Sequence, residues 1–301
     1  MIGKNAILPH RLSIHLTDEN VTTPRPPLPP QEVTKYQQSI QFPKCVTKPF
    51  QRIGVLIQDA GLFRASPLKT HVVVCGFPRS GSTLLQLMIE ACVSDVQTYG
   101  RERRGMEAAK CYRRVRPIMM TKRPSDIFTL DDLRDFYSRH HAKVKFVLMT
   151  RDPRAVLTSI HHSNPGEYYV PAERWRAIDS YWLWATSADD VVSVRYEDLI
   201  CKPDRIQQLL TDFVGWNVHH PFADFHNAIP EGFDTRALNG VRKLDPTNTE
   251  RWRKPEHRTR LTSLLTAELQ ELPTRLQELG YEQDDGWVGD YAEPKLTRVA
   301  A

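Results

Sequence analysis

The chain has 301 residues, 40% of them hydrophobic and 26% charged, the size and balance of a globule with one large α/β domain or two small ones. Its net charge of +5 is modest, and no stretch approaches the roughly 18 apolar residues that span a bilayer. Met1-Ile2-Gly3-Lys4-Asn5 leads into no long apolar run, so the expectation is a cytoplasmic protein. Five cysteines (Cys45, Cys75, Cys92, Cys111 and Cys201) include no C-x-x-C pair and read as reduced core residues rather than a disulfide frame or zinc site.

In chain order, residues 1–50 stand apart as a Pro-rich extended arm. Thr22-Thr23-Pro24-Arg25-Pro26-Pro27-Leu28-Pro29-Pro30 predicts extended backbone near polyproline II, because proline fixes φ and blocks helix. Such an arm packs on the domain surface or serves as a ligand for another protein. Residues 51–301 read as a single α/β domain. The apolar run His71-Val72-Val73-Val74-Cys75 predicts a strand, and Leu84-Leu85-Gln86-Leu87-Met88-Ile89 a buried helix. Pro117 to Thr121 is a second strand, and Thr129 is placed to cap a helix over 130–138. Val144 to Thr150 is the next strand, followed by a helix over 154–162. Pro171 opens another helix, whose Trp175, Tyr181, Trp182 and Trp184 read as core. A strand over 190–196, a helix over 205–214 and a helical stretch over 256–279, interrupted at Pro273 and closed by Gly280, complete the pattern. Strands alternating with helices imply a P-loop-like α/β fold, a mainly parallel sheet flanked by helices on both faces. Ligands then gather at the carboxyl ends of the strands, where Arg79, Lys122, Arg151 and Tyr196 all fall.

The octet Gly76-Phe77-Pro78-Arg79-Ser80-Gly81-Ser82-Thr83 joins the first strand to the first helix. Strand, glycine-bracketed loop and helix form a phosphate cradle, in which backbone N–H groups and the helix N-terminus face the anion. A nucleoside triphosphatase loop needs Lys directly after its second Gly, and Ser82 holds that place. Arg79 supplies the cation from two residues earlier. Farther on, Arg101, Arg103, Arg104, Lys110, Arg113, Arg114, Arg116, Lys122 and Arg123 face only Glu102 and Glu107. This run is either a solvated helix face or an electropositive wall beside the loop. Aromatic residues are not interleaved with it as nucleic-acid stacking would require.

Three segments together resemble the sulfotransferases that use 3′-phosphoadenosine 5′-phosphosulfate (PAPS). Pro78 to Thr83 is similar to their loop for the 5′-phosphosulfate. Arg151-Asp152-Pro153-Arg154-Ala155-Val156-Leu157-Thr158-Ser159 resembles their 3′-phosphate motif, and Val194 to Leu199 the segment whose Tyr lies near the adenine. Within the superfamily, Gly100-Arg101-Glu102-Arg103-Arg104 and Lys122 to Leu130 resemble tyrosylprotein sulfotransferases. The chain departs from those enzymes at Ser163, where they often have Arg, and lacks a secure counterpart of their late catalytic Ser between Ala237 and Asn248.

The resemblance implies sulfuryl transfer from PAPS to a hydroxyl of a glycan, glycolipid, peptide tyrosine or small molecule. It implies donor contacts from Arg79, Ser80, Gly81, Ser82, Thr83, Arg151, Ser159 and Tyr196, with Lys243 and Arg251 as further candidates. Glu102 is the expected general base, and Lys122 and Arg79 would neutralise the leaving oxygen. Arg104 would contact the acceptor, which its charge suggests is acidic. No metal is expected: the pairs His140-His141, His161-His162 and His219-His220 are adjacent, so their side chains diverge. A homodimer is compatible with such a chain. Two rivals remain, a P-loop kinase or NTPase-like enzyme and a non-catalytic nucleotide-binding protein.

Overall fold

A computed structural model describes residues 24–41, 47–60, 62, 67–161, 164–229, 231–232 and 240–291. Cys45, His162, Ser163 and Ala237 lie outside this set. Five parallel strands form the sheet, in the order β2-β3-β1-β4-β7. They are β1 (Thr70–Gly76), β2 (Val96–Gln97), β3 (Ile118–Lys122), β4 (Lys143–Thr150) and β7 (Val191–Arg195). A two-stranded antiparallel hairpin, β5 (Ile160–His161) with β6 (Asn164–Tyr168), lies outside it.

Both faces of the sheet are covered, which explains why β1 is apolar at nearly every position instead of alternating. Val72 and Val74 point to the face carrying α3 (Ser82–Cys92) and α9 (Pro203–Val214), where they join Met120, Val147 and Met149. Val73 and Cys75 point to the other face, with Phe146 and Leu148 under α5 (Leu130–Ser138) and α7 (Ala172–Ala185). Period-two alternation therefore divides one apolar strand between two cores. Trp175, Tyr181 and Trp182 are buried in the second of these cores, and Trp184 packs against it. From β1 the chain crosses to the β2 edge, returns through β3, and then builds the opposite side with β4 and β7. The phosphate loop consequently opens at the centre of the carboxyl edge, where the strand order reverses.

Four local expectations change. Residues 24–29 form neither helix nor strand, and α1 (Pro30–Ile40) begins where a longer extended arm was expected. Pro30 occupies the first turn of α1, where a missing N–H breaks no bond and φ already suits the helix. This segment is tied to the domain by Arg25 donating to the Phe128 carbonyl at 2.8 Å, by Tyr36 donating to Asp132 at 3.0 Å, and by a Glu32–Arg174 ion pair at 2.9 Å. α2 (Thr47–Asp59) follows it. Thr129 does precede α5, yet its hydroxyl donates back to the Asp126 carbonyl at 2.9 Å and caps nothing, because a 3₁₀ turn over Pro124–Thr129 leads into the helix.

The helix expected over 154–162 stops early, as α6 (Pro153–Leu157). Ser159 then accepts the Tyr169 N–H at 2.8 Å, and pairing with β6 claims the next residues. The stretch expected over 256–279 breaks at Leu269 rather than at Pro273. A π turn over Leu264–Glu268 ends there, and α11 (Leu272–Glu278) takes Pro273 into its first turn. α10 (Arg258–Ser263) precedes the break.

Candidate active site

β1 delivers the chain into the loop at Gly76, and α3 leaves it at Ser82 with Gly81 as N-cap. Arg79 has φ 63°, the one non-glycine in the left-handed region among the described residues. Holding an Arg there costs about 1–2 kcal/mol, which points to a functional loop. Gly81 (φ 83°) is required by contact as well as by φ. A Cβ on it would lie 2.4 Å from Cδ2 of Tyr196. The Tyr196 ring thus closes one side of the loop at van der Waals distance.

Tyr196 is the first residue of α8 (Tyr196–Cys201), directly after β7. Arg151, at the end of β4, lies over its ring with 4.2 Å from guanidinium carbon to ring centre. Arg151 also donates to the carbonyls of Arg79 and Asn248, both at 3.1 Å. Its Nε is buried without a partner. Burial lowers the Arg151 pKa, with Tyr196 and Glu197 opposing that trend. Its direct neighbours are carbonyls and a ring, none of them a carboxylate. A guanidinium held this way is prepared for an anion.

Arg79 extends to Ser159, donating from Nε to the hydroxyl at 2.8 Å. Arg79, Arg151 and Ser159 therefore form one cluster. Lys122, only 4% exposed at the end of β3, forms a second: its ammonium donates to Thr83 and to Glu102, each at 3.0 Å. Arg79 and Lys122, expected to share one oxygen, thus have separate partners. Glu102 stands in the loop before α4 (Gly105–Cys111), with its side chain 56% exposed and open to an incoming group.

A cavity of 520 Å³ joins these clusters. Arg79, Gly81, Ser82, Thr83, Glu102, Arg151, Ser159 and Tyr196 line it, together with Lys243 and Arg251 from the late segment. That segment also brings Arg242 and Asn248, and the hairpin adds Ile160 and Tyr169. None of these four was identified from sequence. Asn248 and Arg242 sit in a polar stretch without regular pattern, and the hairpin lies where helix was expected. The late segment is anchored by Trp252, whose ring lies 3.7 Å from the Arg154 guanidinium; Trp287 lies 4.7 Å from the same group. Arg154 in turn pairs with Asp152 at 2.8 Å and Glu282 at 2.5 Å. Glu197 holds the start of the same turn by accepting the Asp152 N–H at 3.0 Å and the Tyr281 hydroxyl at 3.2 Å.

Several expected contacts go elsewhere. Ser80 is fully buried, and its hydroxyl donates to the Phe77 carbonyl at 2.5 Å, so its side chain shapes the loop without lining the cavity. Arg104 donates to the Gln38 carbonyl at 3.1 Å, and Lys110 to that of Ile40 at 3.0 Å. The last carbonyls of α1 carry partial negative charge and attract both cations, which takes Arg104 out of the cavity lining. Arg114, read as part of an electropositive wall, is buried and bound to the carbonyls of Ala108, Ala109 and Tyr112 and to Asp59. It closes the C-terminus of α4. Arg113 and Arg116 precede the amino end of β3, opposite the loop.

A larger groove, 1060 Å³, runs between α2 and the Tyr112–Val115 segment and shares no lining residue with the smaller cavity. Its buried cation, Arg114, already has its partners, whereas the smaller cavity holds an unpartnered donor, Arg151 Nε, and a backbone cradle, which favours the smaller one as the candidate site. Among the described residues, no group of three or more His, Cys, Asp or Glu could hold a metal ion. The residues present fit an anion: the orphaned Arg151 Nε and the Arg79 guanidinium offer positive charge beside the tight backbone turn at Gly81.

Residues 69–231 match the family described as the sulfotransferase domain. No curated protein matches the chain. Among solved structures, the sulfotransferase domain from the Synechococcus PCC 7002 olefin synthase superposes with a TM-score of 0.50 at 16% identity, covering 71% of this chain and 96% of that one. The sulfotransferase domain from the curacin biosynthetic pathway gives 0.45 at 16% identity over 72% of this chain and 99% of that one. No helix among the described residues is long and apolar enough to cross a membrane. With more than half its length matched and the parallel sheet of that fold, the chain belongs to the sulfotransferase domain family.

Proposed function

We propose that this sulfotransferase takes its sulfuryl group from PAPS and passes it to a hydroxyl-bearing acceptor. The observation that carries this reading is that one cavity touches two distinct cationic clusters. Arg79, Arg151 and Ser159 line it as one, and Lys122 forms the other through its bonds to the lining residues Thr83 and Glu102. When bound, the donor supplies an activated sulfuryl group whose transfer leaves adenosine 3′,5′-bisphosphate. In this reading Arg151 and Ser159 bind the 3′-phosphate, while the loop amides and Thr83 bind the 5′ side. Tyr196 borders the adenine. Lys243 and Arg251 add charge at the cavity rim.

Glu102 takes the proton of the acceptor hydroxyl, and Lys122 steadies the charge that develops on the leaving oxygen. A sulfuryl group carries less charge than a phosphoryl group, so fixed cations can supply the electrostatics. Arg104 is bound to α1 and does not select an acidic acceptor; the hydroxyl of a glycan, glycolipid, peptide tyrosine or small molecule remains the acceptor class.

Calorimetric titration with adenosine 3′,5′-bisphosphate and with ATP, in the presence of a chelator, tests the donor. Labelled PAPS with a panel of glycans, tyrosine peptides and small alcohols tests the transfer. Metal-independent binding of the bisphosphate and label on one acceptor class are expected. Equal binding of ATP, or no labelled product with any hydroxyl, overturns the reading.

A further inference from the structure

The loop over 98–104, which carries Glu102, has no regular structure, and only a few bonds fix its backbone. The Arg103 N–H donates to the carbonyl of Lys122 at 3.1 Å. The Gly105 N–H donates to Oδ2 of Asp126 at 2.8 Å. Asp126 is 1% exposed, and its one ion partner among the described residues is Arg123, at 3.7 Å. A Cβ on Gly105 would lie 3.3 Å from that Oδ2 and 3.2 Å from Leu133, so the close approach favours glycine. A buried carboxylate with one distant counter-ion is costly unless its hydrogen bonds matter. Burial accordingly raises its pKa to about 7.

We propose that Asp126 is a positioning residue for Glu102: its carboxylate holds the Gly105 amide and so fixes the loop that presents the base opposite Lys122. Two ends of one short segment then act on one group. Lys122 sets the Glu102 side chain directly, and Asp126 sets the backbone three residues beyond it. This inference rests on the reading of Glu102 as general base.

The test compares E102Q, D126A, D126N and the double variant E102Q/D126A. E102Q is expected to lower kcat by roughly 10²–10⁴-fold, the usual contribution of a general base. D126A is expected to lower kcat by roughly 10–100-fold, since a misplacement of about 1 Å can cost that much. Its affinity for adenosine 3′,5′-bisphosphate should stay unchanged. D126N, which keeps an acceptor for the amide, should restore most of kcat. The double variant should be no slower than E102Q alone, because both changes act through one group. Independently of activity, hydrogen exchange over 98–105 in the free protein should quicken in D126A and not in D126N.

If D126A does not fold, D126L, whose branched side chain matches the shape of the carboxylate but accepts no hydrogen bond, removes the same bond, and the same kcat loss is expected. Near-normal turnover of E102Q removes the base and the inference with it. An impaired E102Q beside a normal D126A, an additive double variant, or unchanged exchange in D126A overturns the role of Asp126 alone.

Discussion

Replacing Arg151 with Ala separates binding from stability. In the free protein its guanidinium donates to two carbonyls and lies on Tyr196, while its Nε has no partner. Removing it forfeits two hydrogen bonds with a net worth of about 0.5–1.5 kcal/mol each. The same change relieves a cation that burial disfavours. These effects oppose one another, so the thermal midpoint should move by no more than a few degrees. Binding has no such compensation. A charge-assisted bond to a phosphate is worth about 1.5–3 kcal/mol, or roughly a 10- to 150-fold loss of affinity.

Titration of both proteins with adenosine 3′,5′-bisphosphate and with adenosine 5′-monophosphate, at fixed ionic strength, isolates the 3′-phosphate. The wild type should prefer the bisphosphate, and R151A should lose that preference while binding the monophosphate as before. An equal loss for both ligands would mean that Arg151 acts through the Arg79 carbonyl and the loop, and the assignment to the 3′-phosphate would fail.

K122A should lose turnover on acidic phenols and aliphatic alcohols alike, because charge on the leaving oxygen develops whichever acceptor attacks. A change confined to acceptor KM would make Lys122 a substrate contact. G81A places a methyl group 2.4 Å from the Tyr196 ring and adds left-handed strain of about 1–2 kcal/mol, so calorimetry should show bisphosphate binding largely lost; retained affinity would show that the loop is not the cradle. For pH, His71 is buried between Tyr137 and Thr121, and burial lowers its pKa from 6.5 to about 3. Below pH 6.5 the unfolded chain binds a proton that the folded one refuses, so stability falls with acid by about 1.4 kcal/mol per unit. Asp126, raised from 3.8 to about 7, acts in reverse: the folded form binds the extra proton, so stability rises as pH falls from 7 towards 3.8. Thermal melts between pH 7 and 5 should therefore become more acid-sensitive in D126N and less so in H71Q; parallel slopes in all three proteins would refute both shifts.

Local pattern in the sequence determined the strand–loop–helix at Gly76–Thr83, the core faces of β1 and β4, and the strand-end positions of Lys122, Arg151 and Tyr196. Each follows from alternation, from glycine placement, or from a strand's end, and those signals lie within a dozen residues. Only the tertiary structure decided what the charges do. Arg101 to Arg123 read as one basic run, yet Arg104 is drawn to the end of α1, Arg114 closes α4, and Lys122 alone of those three is bonded to residues that line the cavity, Thr83 and Glu102. A cation is drawn to whichever unsatisfied carbonyls or carboxylates the fold brings near, and these come from remote parts of the chain. The same holds for Asn248, which meets Arg151 across 97 residues, and for Asp126, whose amide partner lies 21 residues away. Secondary structure is written in local periodicity; the partners of a buried charge are set by packing, which no local window contains.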